Sequence, residues 1–357
     1  MHLAVHLPAW CRAHGHAATP GGPDGGFTVT KGRADDARWR GAVRAGGPGP
    51  AGLVDRAPAT WGLAARGALV EDGGPPLHHA DIDRRAEVWA DIAPKLYAQA
   101  LAGQWDPARA VDWAAPLHPD AGVEKAVVQV MTYLVENELA ALAVPARFIA
   151  RVHPHFREVV QLLAVQTADE ARHVEVFTRR AELSGGPLGT SGAGGRASLQ
   201  TLLDEPDFSQ AAFLLSVLGE GTFLDLLSFL ERHGPDAVTR QVAHLALADE
   251  ARHVAFGVAH LEHRAAAEPQ FRGRLRAAVE RRHDVLASTA GLHAGVFDAL
   301  VVLAAGSWAP ARIAAGWDRV QALVGEMDEG RRRRLARLGF PPGEAAELSA
   351  LHTRNFM

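Results

Sequence analysis

Ala168-Asp169-Glu170-Ala171-Arg172-His173-Val174 and Ala248-Asp249-Glu250-Ala251-Arg252-His253-Val254 are the same heptapeptide written twice in one chain. Each copy holds Glu-x-x-His. On an α-helix, residues i and i+3 share a face, so the carboxylate and imidazole of each copy can reach one metal ion. Apolar Val165 and Leu245 stand at matching places one turn earlier. The surrounding periodicity predicts helices over about 122–149, 156–183, 209–232 and 235–267, so that each copy lies on the second helix of a hairpin. Val152-His153-Pro154-His155 and His233-Gly234-Pro235 supply the two turns, and Gly/Ser-rich Ser184–Arg196 links the hairpins.

Antiparallel helices bring residues equidistant from a turn opposite each other. Glu220 and Glu250 lie 15 residues either side of Pro235, and Glu136 and Glu170 lie 17 either side of His153. Leu134-Val135-Glu136 also resembles Leu218-Gly219-Glu220. Glu138 is the alternative to Glu136. It shares the apolar stripe of Met131, Leu134, Val135 and Leu142, and it is centred with Glu170 on Pro154. The repeat alignment ranks Glu136 first. The set Glu136, Glu170, His173, Glu220, Glu250 and His253 suits two carboxylate-bridged iron ions, and the same ligands suit manganese in place of one. Buried without metal, these groups would be costly.

The doubled Asp-Glu-x-Arg-His resembles the ferritin-like di-iron oxygenase and oxidase superfamily over about Val127–Ala266. The resemblance implies an all-α, ferritin-like four-helix bundle with additional N- and C-terminal helices. It also implies that Asp169 orients His253 and Asp249 orients His173, with Arg172 and Arg252 in support. An O2-dependent oxidoreductase follows from it, a monooxygenase or oxidase of a small organic substrate. The other reading is an iron-handling or peroxide-scavenging ferritin relative. Two departures are visible: hydroxylases of this group carry a Thr where this chain has Leu224, and arylamine N-oxygenases carry a third His where it has Ala246. Residues one turn from the ligands, Ala140, Ala143, Val217, Phe223, Leu224 and Leu227, are the candidate pocket lining.

Composition narrows the field. Of 357 residues, 37 are Lys or Arg and 41 Asp or Glu, a net charge of −4, which argues against a nucleic-acid-coating surface. The lone cysteine, Cys11, excludes an intrachain disulfide and a Cys-ligated cluster, and it fits a cytoplasmic setting. Electrons must then come from an external donor or reductase, or from the substrate. A homodimer is compatible with this reading. Apolar stretches such as Ala299–Gly306 are far shorter than a bilayer needs, so no membrane span is expected.

Four segments emerge: an irregular Gly/Pro-rich stretch over 1–80, with Phe27–Thr30 able to form a strand; a leading helix and connection over 81–121; the dimetal core over 122–268; and a helical extension covering it over 269–357. The extension is expected as helices over 271–327 and 329–351. Among the other side chains, Tyr133 is open to a packing or a redox role. His153, His155 and His233 fall at turns, and His260, His263, His283 and His293 lack ligand spacing. Arg331–Arg334 reads as a solvated charge run.

Overall fold

The computed structural model describes residues 2–21, 25–32, 39–286 and 294–353. The chain forms two compact units, Met1–Asp83 with His153–His155, and Arg84–Val152 with Phe156–Met357. The first is less irregular than its Gly/Pro content implies. It contains α1 (Leu3–Ala13) and two antiparallel pairs, β1 (Ala17–Pro20) with β2 (Phe27–Thr30), and β3 (Val43–Arg44) with β4 (Leu69–Val70). Among the residues of α1, Cys11 alone is buried, so no apolar stripe announces the helix, and Pro8 in its interior argues against it. His155 is tied into this unit: its Nε2 accepts from the Val54 amide at 3.1 Å.

The second unit is all-α among the described residues, with a core of two antiparallel helical hairpins. After α2 (Ala93–Ala102) come α3 (Ala121–Ile149) and α4 (Arg157–Glu182), a packed antiparallel hairpin. Next are α5 (Ala193–Leu203), α6 (Phe208–Ala212), a π-helical stretch Phe213–Gly219 and α7 (Glu220–His233), which pairs with α8 (Ala237–Ala267). The C-terminal part is α9 (Phe271–Leu286), α10 (Ala294–Ala305), α11 (Pro310–Arg337) and α12 (Pro342–Thr353). Helix α10 lies on α3, and α11 on α7.

Local chemistry sets the core ends. Asp120 caps α3, accepting from the amides of Gly122 (2.8 Å) and Val123 (3.2 Å), and Asp236 caps α8 through the Thr239 amide at 2.8 Å. Asp236 also shares buried Arg180 with Glu124, so the α8 cap, α4 and α3 are joined by one ion-paired cluster. Along α3 the buried residues Val127, Met131, Leu134, Glu138, Ala141, Pro145 and Phe148 alternate by four and three, a continuous inward seam.

Several boundaries depart from the sequence reading. The leading helix starts at Ala93, with Pro94 in its first turn, rather than near Asp81. Helix α5 begins inside the Gly/Ser link. The C-terminal helix expected over 271–327 is interrupted at Gly306, whose φ of 62° few other residues adopt, and part of it, 287–293, lies outside the described residues. Helix α11 runs through the break expected near Met327. Its arginine run is not a solvated face: Arg331 is 1% exposed and donates to Ser349 Oγ (3.1 Å) and Thr222 Oγ1 (3.3 Å). Arg334, three residues on and on the same face, donates through Nε to the Val217 carbonyl at 2.7 Å, while Arg332 and Arg333 point outward.

By length and composition Ala121–Ile149 and Phe208–His233 would suit a bilayer, which the sequence reading missed. Both instead serve as core helices, with 61% and 83% of their apolar windows buried in the protein, and each carries a buried glutamate inward.

His260 of α8 is fully buried. Its Nε2 is 2.8 Å from Ser209 Oγ and its Nδ1 3.1 Å from the Trp89 carbonyl. Burial pushes this imidazole down to about 4, against a smaller upward pull from that carbonyl. The unfolded chain therefore binds a proton that the folded chain refuses between about pH 6.5 and 4. The associated stability is complete above the unfolded value and falls away on acidification, by up to about 3 kcal/mol. Denaturant titrations between pH 7 and 4.5 should show a shallower loss for His260→Gln than for the parent.

Candidate metal centre

Four helices deliver the acidic and imidazole groups to one buried place. Glu138 comes from α3, Glu170 and His173 from α4, Glu220 from the first position of α7, and Glu250 and His253 from α8. Their exposures run from 0% to 4%. They form two overlapping quartets, Glu138, Glu170, His173 and Glu250, and Glu170, Glu220, Glu250 and His253. Within each, one donor atom per residue lies within 4.8 Å of the others. Glu170 and Glu250 belong to both quartets, so two metal ions held there would share them.

Glu136, the first choice from the sequence, is not in either quartet. It is half-buried and off the inward seam that Glu138 occupies. The two residues are about 200° apart around the helix. The counting misled because the turns differ: Ala150–Phe156 separates α3 from α4, against Gly234–Asp236 between α7 and α8. The π-helical stretch ends at Gly219, directly before Glu220, so it lies outside the span counted back from Pro235.

The π-helical stretch is held from two sides. Gly257 lets α8 approach it, since a Cβ there would lie 2.4 Å from Ser216 Cβ. From α11, Arg334 supplies the donor for Val217. Gln166, one turn before Glu170, donates to Glu220 Oε1 at 3.1 Å.

Behind the ligands stands a crossed brace. His173 Nε2 is 3.2 Å from Asp249 Oδ2, and His253 Nε2 is 3.3 Å from Asp169 Oδ2. Each aspartate thus holds the histidine of the other helix, the arrangement expected from the resemblance. Both Nδ1 atoms consequently face the carboxylates: His173 Nδ1 is 3.1 Å from Glu170 and 3.2 Å from Glu250, and His253 Nδ1 is 2.9 Å from Glu170. Arg172 donates to both aspartates, and Arg252 pairs with both.

Two further members of the brace went unnoticed in the sequence. Gln104 Nε2 donates to Asp169 at 3.0 Å and its Oε1 accepts from Arg172 at 2.6 Å. Trp105 Nε1 donates to Asp249 at 2.8 Å, with the Arg172 guanidinium 4.7 Å from its ring. Both sit in the connection after α2, where no periodicity or motif points inward.

Electrostatics mark the cluster as built for cations. Burial and the nearby Glu170 and Glu250 charges drive Glu138 well above the carboxylate range, and burial with Glu250 does the same to Glu220. Burial would raise Glu170 too, but the two histidines outweigh it and hold it low. Burial would lower His173 and His253, yet the surrounding carboxylates push both well up. Asp169 and Asp249 are lowered despite burial, chiefly by their histidines. Meanwhile Glu138 Oε1, Glu170 Oε1, Glu220 Oε2, both Glu250 oxygens and His253 Nδ1 are buried without an aligned hydrogen bond, the close histidine–glutamate contacts among them included. Orphaned donor atoms converging on two points are what a pair of metal ions would satisfy.

Ala140, Val217, Phe223 and Leu227 are buried, whereas Ala143 and Leu224 are half-exposed. A small cavity of about 20 Å³ beside the cluster is lined by Val144, Leu163, Gln166, Leu215, Ser216 and Phe256, among others.

Replacing Asp249 with Asn keeps the shape of the brace and removes the charge that supports His173. Metal affinity should fall by about 10–100-fold, with unchanged circular dichroism. Metal titration of the variant against the parent gives the comparison.

No protein-family profile matches the chain, and no curated protein sequence matches it. Among solved structures it is similar to a variant of an R2-like ligand-binding oxidase with aerobically reconstituted Mn/Fe cofactor, at 18% identity and a TM-score of 0.46, over 72% of this chain and 92% of that one. The anaerobically reconstituted form of the same variant gives 19% identity and a TM-score of 0.49, over 69% and 92%. A protein with aldehyde deformylating oxidase activity from Synechococcus gives 18% and 0.44, over 67% and 98%.

Proposed function

We propose that this chain is a non-haem, O2-dependent oxidoreductase with a dinuclear iron or manganese–iron centre, acting on a small organic substrate. One observation carries the reading: two quartets of buried ligand atoms share Glu170 and Glu250 and leave most of their oxygens unpartnered. Glu138 and His173 would complete one metal position, and Glu220 and His253 the other. Bound there, such a pair supplies O2 activation with electrons delivered two at a time, which no side chain provides.

The chain's own contribution is positional. Asp169 and Asp249 fix the two imidazoles so that each Nδ1 is turned to the cluster. Arg172 and Arg252 pair with those aspartates and hold them in place. Near-complete burial excludes bulk water from the ligands. The reductant is an external donor or the substrate.

Protein loaded anaerobically with ferrous iron should hold close to two ions per chain by elemental analysis and consume O2 on mixing. Zero or one ion at saturation overturns the dinuclear reading. Continued iron uptake into a mineral, beyond two per chain, would instead identify an iron-handling protein.

A further inference from the structure

Arg282 of α9 is 6% exposed, yet among the described residues it faces no carboxylate. Its Nη2 donates to Ser198 Oγ at 2.6 Å, while Nε and Nη1 find no acceptor. Beside it lies Tyr133 of α3, 9% exposed, whose hydroxyl also has no partner. Neighbouring Asn137 spends its amide on the Tyr133 carbonyl at 2.6 Å. Burial lowers the Arg282 guanidinium to about 10, with Tyr133 the one group opposing it. Two other deeply buried arginines of the bundle are matched by carboxylates, Arg180 by Glu124 and Asp236 and Arg172 by Asp169 and Asp249; Arg331, bonded to hydroxyls like Arg282, has the charges of Asp328 and Asp225 nearby. A buried guanidinium left without an anion costs several kcal/mol.

The pair stands close to the metal cluster. Tyr133 precedes Glu138 by five residues on α3, about 7.5 Å of helix rise. Phe223, one turn after Glu220, stacks on Tyr133 with ring centroids 6.1 Å apart. A molecule held at Arg282 would have its body beside the Tyr133–Phe223 pair, on the two helices that carry Glu138 and Glu220.

We propose that Arg282, with the Tyr133 hydroxyl, anchors the carboxylate of an organic acid, and that this acid is the substrate of the dinuclear centre. The second clause rests on the function proposed above; the first does not. One guanidinium without a second cation matches a monoanion better than a phosphate dianion. Glu136, whose charge is felt at Tyr133, disfavours the dianion further.

Calorimetric titration of metal-loaded and of chelator-treated protein with hexanoate and benzoate, against hexanamide and benzamide, tests the anchor. The acids should bind about 10–100-fold more tightly than the amides in both forms, the range of charge-assisted hydrogen bonds. Arg282→Gln should erase that preference, Arg282→Lys should restore part of it, and Tyr133→Phe should weaken acid binding by about 3–10-fold. Equal affinity for acid and amide in the parent overturns the anchor, as does a preference that survives Arg282→Gln. Acid binding that needs metal and ignores Arg282 also overturns it. Should Arg282→Gln fail to fold, an unaltered preference in both Arg282→Lys and Tyr133→Phe is the contrary result. Because the chelator-treated protein reports on Arg282 alone, failure of the metal reading leaves the anchor's own result intact.

Discussion

Glu250→Ala is expected to abolish stable binding at both metal positions, since this carboxylate belongs to both quartets. Losing one partner of a buried charge constellation typically costs about 3–5 kcal/mol, some two to four orders of magnitude in affinity. Elemental analysis after gel filtration should find the variant empty under conditions that fill the parent. Glu170→Ala should behave alike. The metal-free proteins should rank differently. Four carboxylates crowd the cluster, and mutual repulsion with burial already drives Glu138 and Glu220 upward. Removing one of them should leave the chelator-treated variant about as stable to heat as the parent, or more so. A variant that lost metal merely by unfolding would show the reverse.

Glu138→Ala should empty one position and spare the other, with about one ion per chain retained, because Glu138 belongs to a single quartet. Glu136→Ala, two residues away and half-buried, should keep both ions. Elemental analysis of the two variants side by side decides between the glutamates. Retention of two ions by Glu138→Ala with loss in Glu136→Ala would restore the repeat alignment and refute the seam along α3.

The contrast between these glutamates shows what the sequence could carry. The repeated heptapeptide located α4 and α8, and it paired Asp169 with His253 and Asp249 with His173 by resemblance, as the distances have it. That much is legible because i, i+3 spacing on a helix is fixed by covalent geometry. Glu220 was reached by its distance from a tight turn, a count that runs through the regular winding of α7 alone. Glu136 was chosen by the same counting across a longer turn and lies outside both quartets, although the apolar seam through Met131 and Leu134 already pointed to Glu138. Gln104 and Trp105 were beyond reach: they act from an aperiodic connection, and only the fold brings them to Asp169 and Asp249. Arg331 and Arg334 were misread for a related reason. A run of four arginines carries no sign of which two turn inward until α7 lies against α11.

The donor that Arg334 lends to the π-helical stretch bears on modularity. Residues 122–268 look like a portable cassette, since they contain every metal-facing side chain. Cut out, that cassette would lose Arg334 from one flank and Gln104 and Trp105 from the other. Its third helix would then be free to relax into regular α-helical winding, and one residue's worth of rewinding turns Glu220 by about 100°. The smallest transplantable unit therefore extends from the connection after α2 to the far end of α11, and grafts that respect only the four-helix boundary would inherit the ligands without their register.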